Sequence, residues 1–316
     1  MYFQIDETGI LPVECRYIRE GVTTVFWILE KREAAIVDAS VSGATPHILA
    51  ALEKEGLGAE DVKYIIITHV HLDHSAGTAA LLRACPHAQV LCHPKAALHL
   101  ANPERLVKGA KMAYGEEAFE KLYGRVEGVD KSKIRPVEDG EKISFGSREF
   151  TFLHTRGHAN HHICLYDSGS GALFAGDTFG LAYPRLQIGT RPLIYPNTAP
   201  IDFDPVEARK SIDRIEALRP SRICLAHYGV WKDVAEGARQ LRYGLEQLEK
   251  MYDHARSTEM ESDERAALCK KEFTTFLHGE IASRGIELSE EEWLDLEFDI
   301  LLNSSGIAVA AQRNLI

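Results

Sequence analysis

The sequence predicts an α/β protein with a helical C-terminal region, and three observations carry that reading. Short apolar or β-rich runs alternate with helix-like stretches between about residues 20 and 230. Several of those runs end abruptly in Gly, His or Asp. After about residue 232 the strand-like runs stop. At 316 residues the chain is long enough for one large core, or for a core with a smaller appended domain. The expected division is therefore 1–232 and 233–316.

Taken in order, VTTVFWILEKREAAIVD at 22–38 reads as a hairpin, two β-rich runs joined by the charged turn Glu30-Lys31-Arg32-Glu33. Thr45-Pro46 is expected to cap and open a helix over 45–56. Tyr64-Ile65-Ile66-Ile67 is a wholly apolar run of the buried-strand kind, and it leads directly into Thr68-His69. A helix is expected near Ser75 and a strand near 89–92. Residues 102–123 read as one or two helices forming an insertion or lid-like arm. Strands return at 143–153, 162–167 and 171–175. The Pro-rich segment 180–205 is a long loop, a feature that is usually functional inside a compact domain. A helix over 205–218 and a strand at 222–225 follow, and the last stretches, 236–256, 262–284 and 289–303, are helical. No internal repeat is found, and the expectation is only that two αβ-type halves, about 20–125 and 130–230, are related by shape.

Composition narrows the function classes. Hydrophobic residues make up 45% and charged residues 26%, with a net charge of -11, so a nucleic-acid backbone would meet a repulsive average field. Arg185 and Arg191 are a local basic pair whose simpler reading is solvated loop charge. No apolar run reaches the roughly 20 residues that span a bilayer. The start, MYFQIDETGI, has no basic stretch followed by an apolar one. Six cysteines, Cys15, Cys85, Cys92, Cys164, Cys224 and Cys269, lack CxxC spacing and read as buried free thiols of a reducing compartment. The expectation is a cytoplasmic protein acting on a small molecule, with neither membrane nor nucleic acid as partner and a homodimer as one oligomeric option.

The fourteen histidines are informative by placement. In Thr68-His69-Val70-His71-Leu72-Asp73-His74, four candidate metal ligands fall within six residues, directly after a buried strand, where open α/β sheets present their sites. Alternation sends His69 and His71 the same way, and a turn at Asp73-His74 aims a second pair at a neighbouring point. Two such points suit two metal ions better than one. Other apolar runs also end in potential ligands: 148–153 before His154 and His158, 171–175 before Gly176-Asp177, and 222–225 before Ala226-His227. Glycine precedes His158 and Asp177, which allows a sharp turn there. A single histidine at a strand end is more often a hydrogen-bonded structural residue, but four ligand types in one short segment outweigh that. Imidazoles with carboxylates suit zinc, iron or manganese. Ser75 is read as the N-cap of the next helix rather than a nucleophile.

THVHLDHSAG resembles the HxHxDH motif of the metallo-β-lactamase fold superfamily, and TRGH at 155–158, AGDT at 175–178 and AH at 226–227 continue the likeness in family order. The resemblance covers roughly residues 20–232 and implies a four-layer αβ/βα sandwich. It also implies two divalent metal ions, zinc first with iron or manganese as alternatives. His69, His71 and His158 would hold one ion, Asp73, His74 and His227 the other, and Asp177 would bridge them. Asp73 would also orient a metal-bridging hydroxide that attacks the substrate. His154, His161 and His162 match no ligand position, and His47, His87, His93, His99, His254 and His278 read as structural or surface residues.

Within the superfamily, class B β-lactamases lack a bridging aspartate where Asp177 stands, and flavodiiron-type proteins carry glutamate where His71 stands. The glyoxalase II-like branch, with its helical C-terminal domain, fits better. Thr178–Pro184 and Tyr228-Gly229 differ from glyoxalase II itself, which points to another substrate pocket. Phe179, Tyr183, Tyr195 and Trp231 are wall candidates for it, with plain packing the favoured reading. The resulting expectation is hydrolysis of a small-molecule thioester or ester. Two alternatives stand beside it. One is a persulfide dioxygenase-like oxidoreductase with a single iron held by two His and one Asp. The other is a metal-containing signalling or binding protein.

Overall fold

A computed structural model describes residues 4–188, 191–198, 202–257 and 259–313. The chain forms two compact units. The first comprises Met1–His154, His161–Gly176 and Pro220–Lys232, and the second Thr155–Asn160, Asp177–Arg219 and Asp233–Ile316. The second unit thus gathers two stretches from before residue 232 together with the helical region after it.

The first unit is built on two six-stranded sheets. One has the order β1 (Ile10–Glu14), β2 (Thr24–Glu30), β3 (Glu33–Val37), β4 (Val62–Ile67), β5 (Gln89–Cys92), β6 (Ile134–Pro136). The other runs from β12 (Gly229–Trp231) through β11 (Arg222–Leu225), β10 (Ala172–Gly176), β9 (Ile163–Asp167) and β8 (Arg148–His154) to β7 (Lys142–Phe145). The expected hairpin is β2–β3, paired antiparallel with Glu30 opposite Glu33 and with Lys31 in the left-handed region at φ 55°.

Strand periodicity explains how the first sheet is covered on both faces. Along β2, Val25, Trp27 and Leu29 join one core while Phe26 and Ile28 join another. The same alternation puts Ala34, Ile36, Ile65 and Ile67 in the first core, and Ala35, Val37 and Ile66 in the second. The first core is completed by Ile48 and Leu52 of α1 (Thr45–Lys54), Leu81 of α3 (Thr78–Ala84), and Ala96 and Leu100 of α4 (Pro94–Ala101). In the second core the two sheets meet, with Phe150, Phe152, Ile163, Leu165 and Phe174 supplied by β8, β9 and β10. The arm expected at 102–123 is two helices, α5 (Glu104–Tyr114) and α6 (Glu116–Tyr123).

Two local expectations are corrected. Thr45 is the first helical residue of α1 and the cap position falls to Ala44, because a 3₁₀ turn, Ser42–Ala44, runs straight into the helix. Ser75 does not cap a following helix. It ends the short helix α2 (Leu72–Ser75), and its hydroxyl donates to the Val70 carbonyl at 3.1 Å.

The second unit holds α7 (Pro205–Ala217), α8 (Val234–Ser257), α9 (Ser262–Ser283) and α10 (Glu290–Arg313). Asp204 caps α7, accepting from the Val206 and Glu207 amides at 3.0 Å, with Pro205 in the first turn. On α8, Leu241, Leu245 and Leu248 are buried. On α9 the buried apolar residues are Cys269, Phe273, Leu277 and Ile281, spaced four apart along one stripe that Arg265 extends. The helix α10 packs on both. Residues 189–190 and 199–201 of the long segment 180–205 lie outside the described residues. No helix among the described residues is long and apolar enough to cross a membrane.

All six cysteines are free and buried. Burial pushes the Cys15 and Cys92 thiols up to about 12, and those of Cys85 and Cys269 up to about 11. A thiol at 12 is thiolate to only about one part in ten thousand at pH 8, and the thiolate is the reacting species. Ellman titration at pH 8 is therefore expected to find almost no reactive thiol in the native protein and six after denaturation. Rapid native reaction of two or more would contradict this packing.

Candidate metal centre

The ligand candidates sit at one edge of each sheet because of strand direction. The strands β3 and β4 run parallel, so their ends carry Asp38 and Thr68 to the same edge. The strand β8 is antiparallel to β9 and β9 to β10, while β10 and β11 are parallel, so β8, β10 and β11 all end at one edge of the second sheet. Directly beyond those three ends come Thr155, Asp177 and Ala226-His227. Within the first unit the two edges meet, since the Ile163 amide donates to the Thr68 carbonyl at 2.8 Å and the Thr24 amide to the Ala226 carbonyl at 2.7 Å. Gly176 is required at that junction. Its φ is 47°, and a Cβ there would lie 2.8 Å from Thr68 Oγ1 and 2.6 Å from His162 Nε2.

In the first unit Asp73, His74 and His227 converge. Asp73 Oδ2 lies 3.5 Å from both His74 Nε2 and His227 Nε2, and one ligand atom from each residue falls within 4.8 Å of the others. His69 and His71 form a neighbouring pair, with His69 Nε2 3.0 Å from His71 Nδ1 and ring centroids 4.5 Å apart. The two rings meet edge to face, with their planes 80° apart. In the second unit His158 Nε2 lies 3.4 Å from Asp177 Oδ2.

These separations test the fit of a metal. The three Asp–His separations, 3.4–3.5 Å, exceed the usual N–H···O range of about 2.7–3.2 Å. They match the roughly 3.4 Å between two ligands that each sit about 2.1 Å from a tetrahedral ion. The opposite ring nitrogens are engaged elsewhere. His74 Nδ1 pairs with Asp38 Oδ2 at 2.9 Å, His227 Nδ1 with the Val22 carbonyl at 2.8 Å, and His69 Nδ1 with Thr68 Oγ1 at 3.2 Å. In the second unit His158 Nδ1 faces the Asn197 carbonyl at 3.3 Å. A histidine whose Nδ1 proton is held this way offers Nε2 as the coordinating atom, the arrangement typical of metal-ligating imidazoles. His/Asp donors suit divalent ions, and the residues present fit them.

Sequence reasoning missed Asp38. Its carboxylate accepts from the Thr68 amide at 2.8 Å and from Thr68 Oγ1 at 2.9 Å, besides holding His74. Its φ of 64° is a left-handed conformation costing about 1–3 kcal/mol, which those bonds sustain. The available signal was the one used elsewhere, an apolar run, Ala34–Val37, ending in an acid. Replacing Asp38 by alanine is expected to weaken zinc binding about 10–100-fold, read by competition with a chromophoric chelator. An unchanged affinity would refute the orienting role.

A tyrosine cluster was also missed. Tyr17 and Tyr123 stack with ring centroids 6.0 Å apart, and Tyr114 lies 6.2 Å from Tyr123. Burial, then the Asp73 charge, raises the Tyr17 and Tyr114 phenols, and burial followed by the neighbouring phenol and acid charges raises Tyr123. All three stay protonated at neutral pH, as donors near Asp73. Among the remaining histidines, His162 packs against the His69 ring at 4.9 Å and His161 lies 5.8 Å from His71. His93 packs on His154 at 4.1 Å, and burial lowers its pKa to about 4, so it stays neutral. Phe179, Tyr183, Tyr195 and Trp231 are all buried, in accord with packing.

The profile of the metallo-beta-lactamase superfamily matches residues 18–227. The chain belongs to that superfamily. ST1585, a metallo-beta-lactamase fold-containing protein of Sulfurisphaera tokodaii, is 27% identical over 213 residues, covering 66% of this chain and 74% of that one. The solved structure of ST1585 matches with a TM-score of 0.64 at 20% identity, over 95% of this chain and 98% of that one. The hydroxyacylglutathione hydrolase of Enterobacter sp. (strain 638) is 29% identical over 57% of this chain and 57% of its own length. The human acyl-coenzyme A thioesterase MBLAC2 is 27% identical over 54% of this chain and 63% of its own length. The fold is the superfamily's α/β sandwich, here with a helical C-terminal region.

Proposed function

We propose that the chain is a hydrolase using two divalent metal ions to cleave a small-molecule thioester or ester. The observation that supports this reading is the anchoring of His69, His74, His158 and His227 through Nδ1, which leaves their Nε2 atoms to coordinate. In this reading His69, His71 and His158 would hold one ion, Asp73, His74 and His227 would hold the other, and Asp177 would serve both. Chain connectivity supports the grouping. Asp177 is one Cα step, about 3.8 Å, beyond Gly176, whose Cβ position abuts Thr68 next to His69. His158 lies in the six-residue excursion Thr155–Asn160 between His154 and His161.

Such ions, when bound, polarise a substrate carbonyl and acidify a water. The chain's own residues supply the rest. The Asp73 side chain is 22% exposed, so it remains accessible to orient the attacking water and take up its proton. The relatives named as hydroxyacylglutathione hydrolase and acyl-coenzyme A thioesterase favour a thioester over other acyl groups. Zinc is the first choice of ion for this donor set, with iron or manganese next. The net charge of -11 favours a small-molecule substrate over nucleic acid, and six free buried thiols accord with a cytoplasmic setting.

The test combines metal analysis of freshly purified protein with assays on acyl-coenzyme A, hydroxyacyl glutathione, simple esters and lactones. Two divalent ions per chain with thioester hydrolysis, and no oxygen uptake on a persulfide, is the expected result. Metal-free protein after careful preparation, or one iron per chain with oxygen uptake, would overturn it.

A further inference from the structure

The helix α10 contributes no ligand, yet its buried polar side chains are spent on the loop that holds two of them. All the groups concerned lie in the second unit. Asn197 touches both ligands there: its Nδ2 donates to Asp177 Oδ2 at 2.7 Å, and its carbonyl accepts from His158 Nδ1 at 3.3 Å. The next residue, Thr198, is gripped by α10. Its amide donates to Asn303 Oδ1 at 2.8 Å, and its hydroxyl donates to the Asn303 carbonyl at 2.6 Å. One turn earlier on the same helix, Asp299 Oδ1 accepts from the Tyr183 hydroxyl at 2.9 Å. The loop's two arms are joined by paired backbone bonds between Leu181 and Tyr195, 2.9 and 3.1 Å long.

Thr198 and Asn303 are each 1% exposed. Burying such groups is costly unless their hydrogen bonds are made, and a helix serving only as packing would place apolar side chains there. We propose that Asn303, acting through Thr198 and Asn197, is a positioning residue that fixes the His158 and Asp177 side chains for metal binding. The C-terminal helix is then part of the metal centre's support. The proposal rests on the assignment of His158 and Asp177 as ligands, but not on the identity of the substrate.

The test titrates the full-length protein with zinc alone against a chromophoric chelator, so that hydrolysis is not the readout. Asn303→Leu keeps the volume and removes the acceptor, and Asn197→Ala removes the amide. Both are expected to weaken the zinc site about 10–100-fold. Leu296→Ala, a cavity in the buried apolar face of α10, should lower stability while leaving zinc affinity within about threefold of wild type. Folded Asn303→Leu with wild-type affinity would overturn the proposal, as would an equal loss of affinity in Leu296→Ala. Should Asn303→Leu not fold, Asn303→Ala decides in the same way, since it also removes the acceptor for the Thr198 amide. Wild-type protein that binds no zinc would instead refute the ligand assignment itself.

Discussion

Replacing His71, Asp73 or Asp177 by alanine is expected to lower hydrolysis by about three orders of magnitude, about 4 kcal/mol of transition-state stabilisation at 1.36 kcal/mol per factor of ten. In the two-ion reading each change removes one of the grouped donor atoms, which stand 3.0–3.5 Å from the nearest other candidate ligand. The informative comparison is with His227→Ala. In a two-ion hydrolase it should be as damaging as His71→Ala, because Asp73 and His74 alone leave their ion underligated. In a mononuclear iron oxidoreductase the Asp73, His74 and His227 group would be unused, and His227→Ala would leave oxygen uptake near wild type. In a signalling protein that keeps the centre without its chemistry, both variants would retain the biological role. Initial rates on the best thioester, with metal content measured on the same samples, separate these outcomes. A His227→Ala protein retaining more than about a tenth of wild-type turnover would exclude the two-ion hydrolase reading.

Much of the candidate centre was legible in the sequence because candidate ligands at strand ends leave a pattern, an apolar run followed by His or Asp. Asp38 obeys that pattern too, but it lies outside the motifs that carry the superfamily resemblance, whereas Asp177 lies within AGDT. Asn197 could not have been found. Its role depends on a loop returning, 39 residues after His158, to place one amide and one carbonyl. An asparagine in a Pro-rich stretch has many simpler explanations.

The fold shows the same division. The strands recognised were mostly interior ones, β2, β3, β4, β5, β8, β9, β10 and β11, but the single strand expected at 143–153 is in fact the edge strand β7 and β8, paired antiparallel across a turn at Gly146-Ser147. The strands missed, β1, β6 and β12, all lie at sheet edges. Two of them contain proline, Pro12 and Pro136, which is tolerated at an edge because no ladder bond is needed from its nitrogen. Edge strands are short and interrupted for the same reason that they resist mispairing, so their sequences are weak.

The second large effect concerns Arg148, and it is expected to appear in stability alone. Arg148 begins β8 at the end opposite His154, so it lies at the sheet edge away from the ligands. Its guanidinium donates to Glu30 Oε2 at 2.8 Å, Asp167 Oδ2 at 2.8 Å, the Leu29 carbonyl at 2.9 Å and the Thr8 carbonyl at 2.6 Å. Glu30 ends β2 of one sheet and Asp167 ends β9 of the other, so one side chain ties the two sheets together. Asp167 is 0% exposed, and it also accepts from the Gly169 amide and from the Ser170 hydroxyl. Arg148→Ala would leave that carboxylate buried without its cation. Removing one partner of a buried pair costs about 3–5 kcal/mol, far more than the pair itself is worth relative to apolar packing. The Arg148→Met, Asp167→Leu, Glu30→Gln triple variant should accordingly recover much of the loss, because it removes the charges together. Urea unfolding of the metal-free proteins measures both changes, and zinc affinity of the folded variants should stay within about threefold of wild type. A loss below about 1 kcal/mol in Arg148→Ala would show that Asp167 is satisfied by its backbone and serine donors alone. A parallel fall in zinc affinity would show that the two ends of the sheets are coupled.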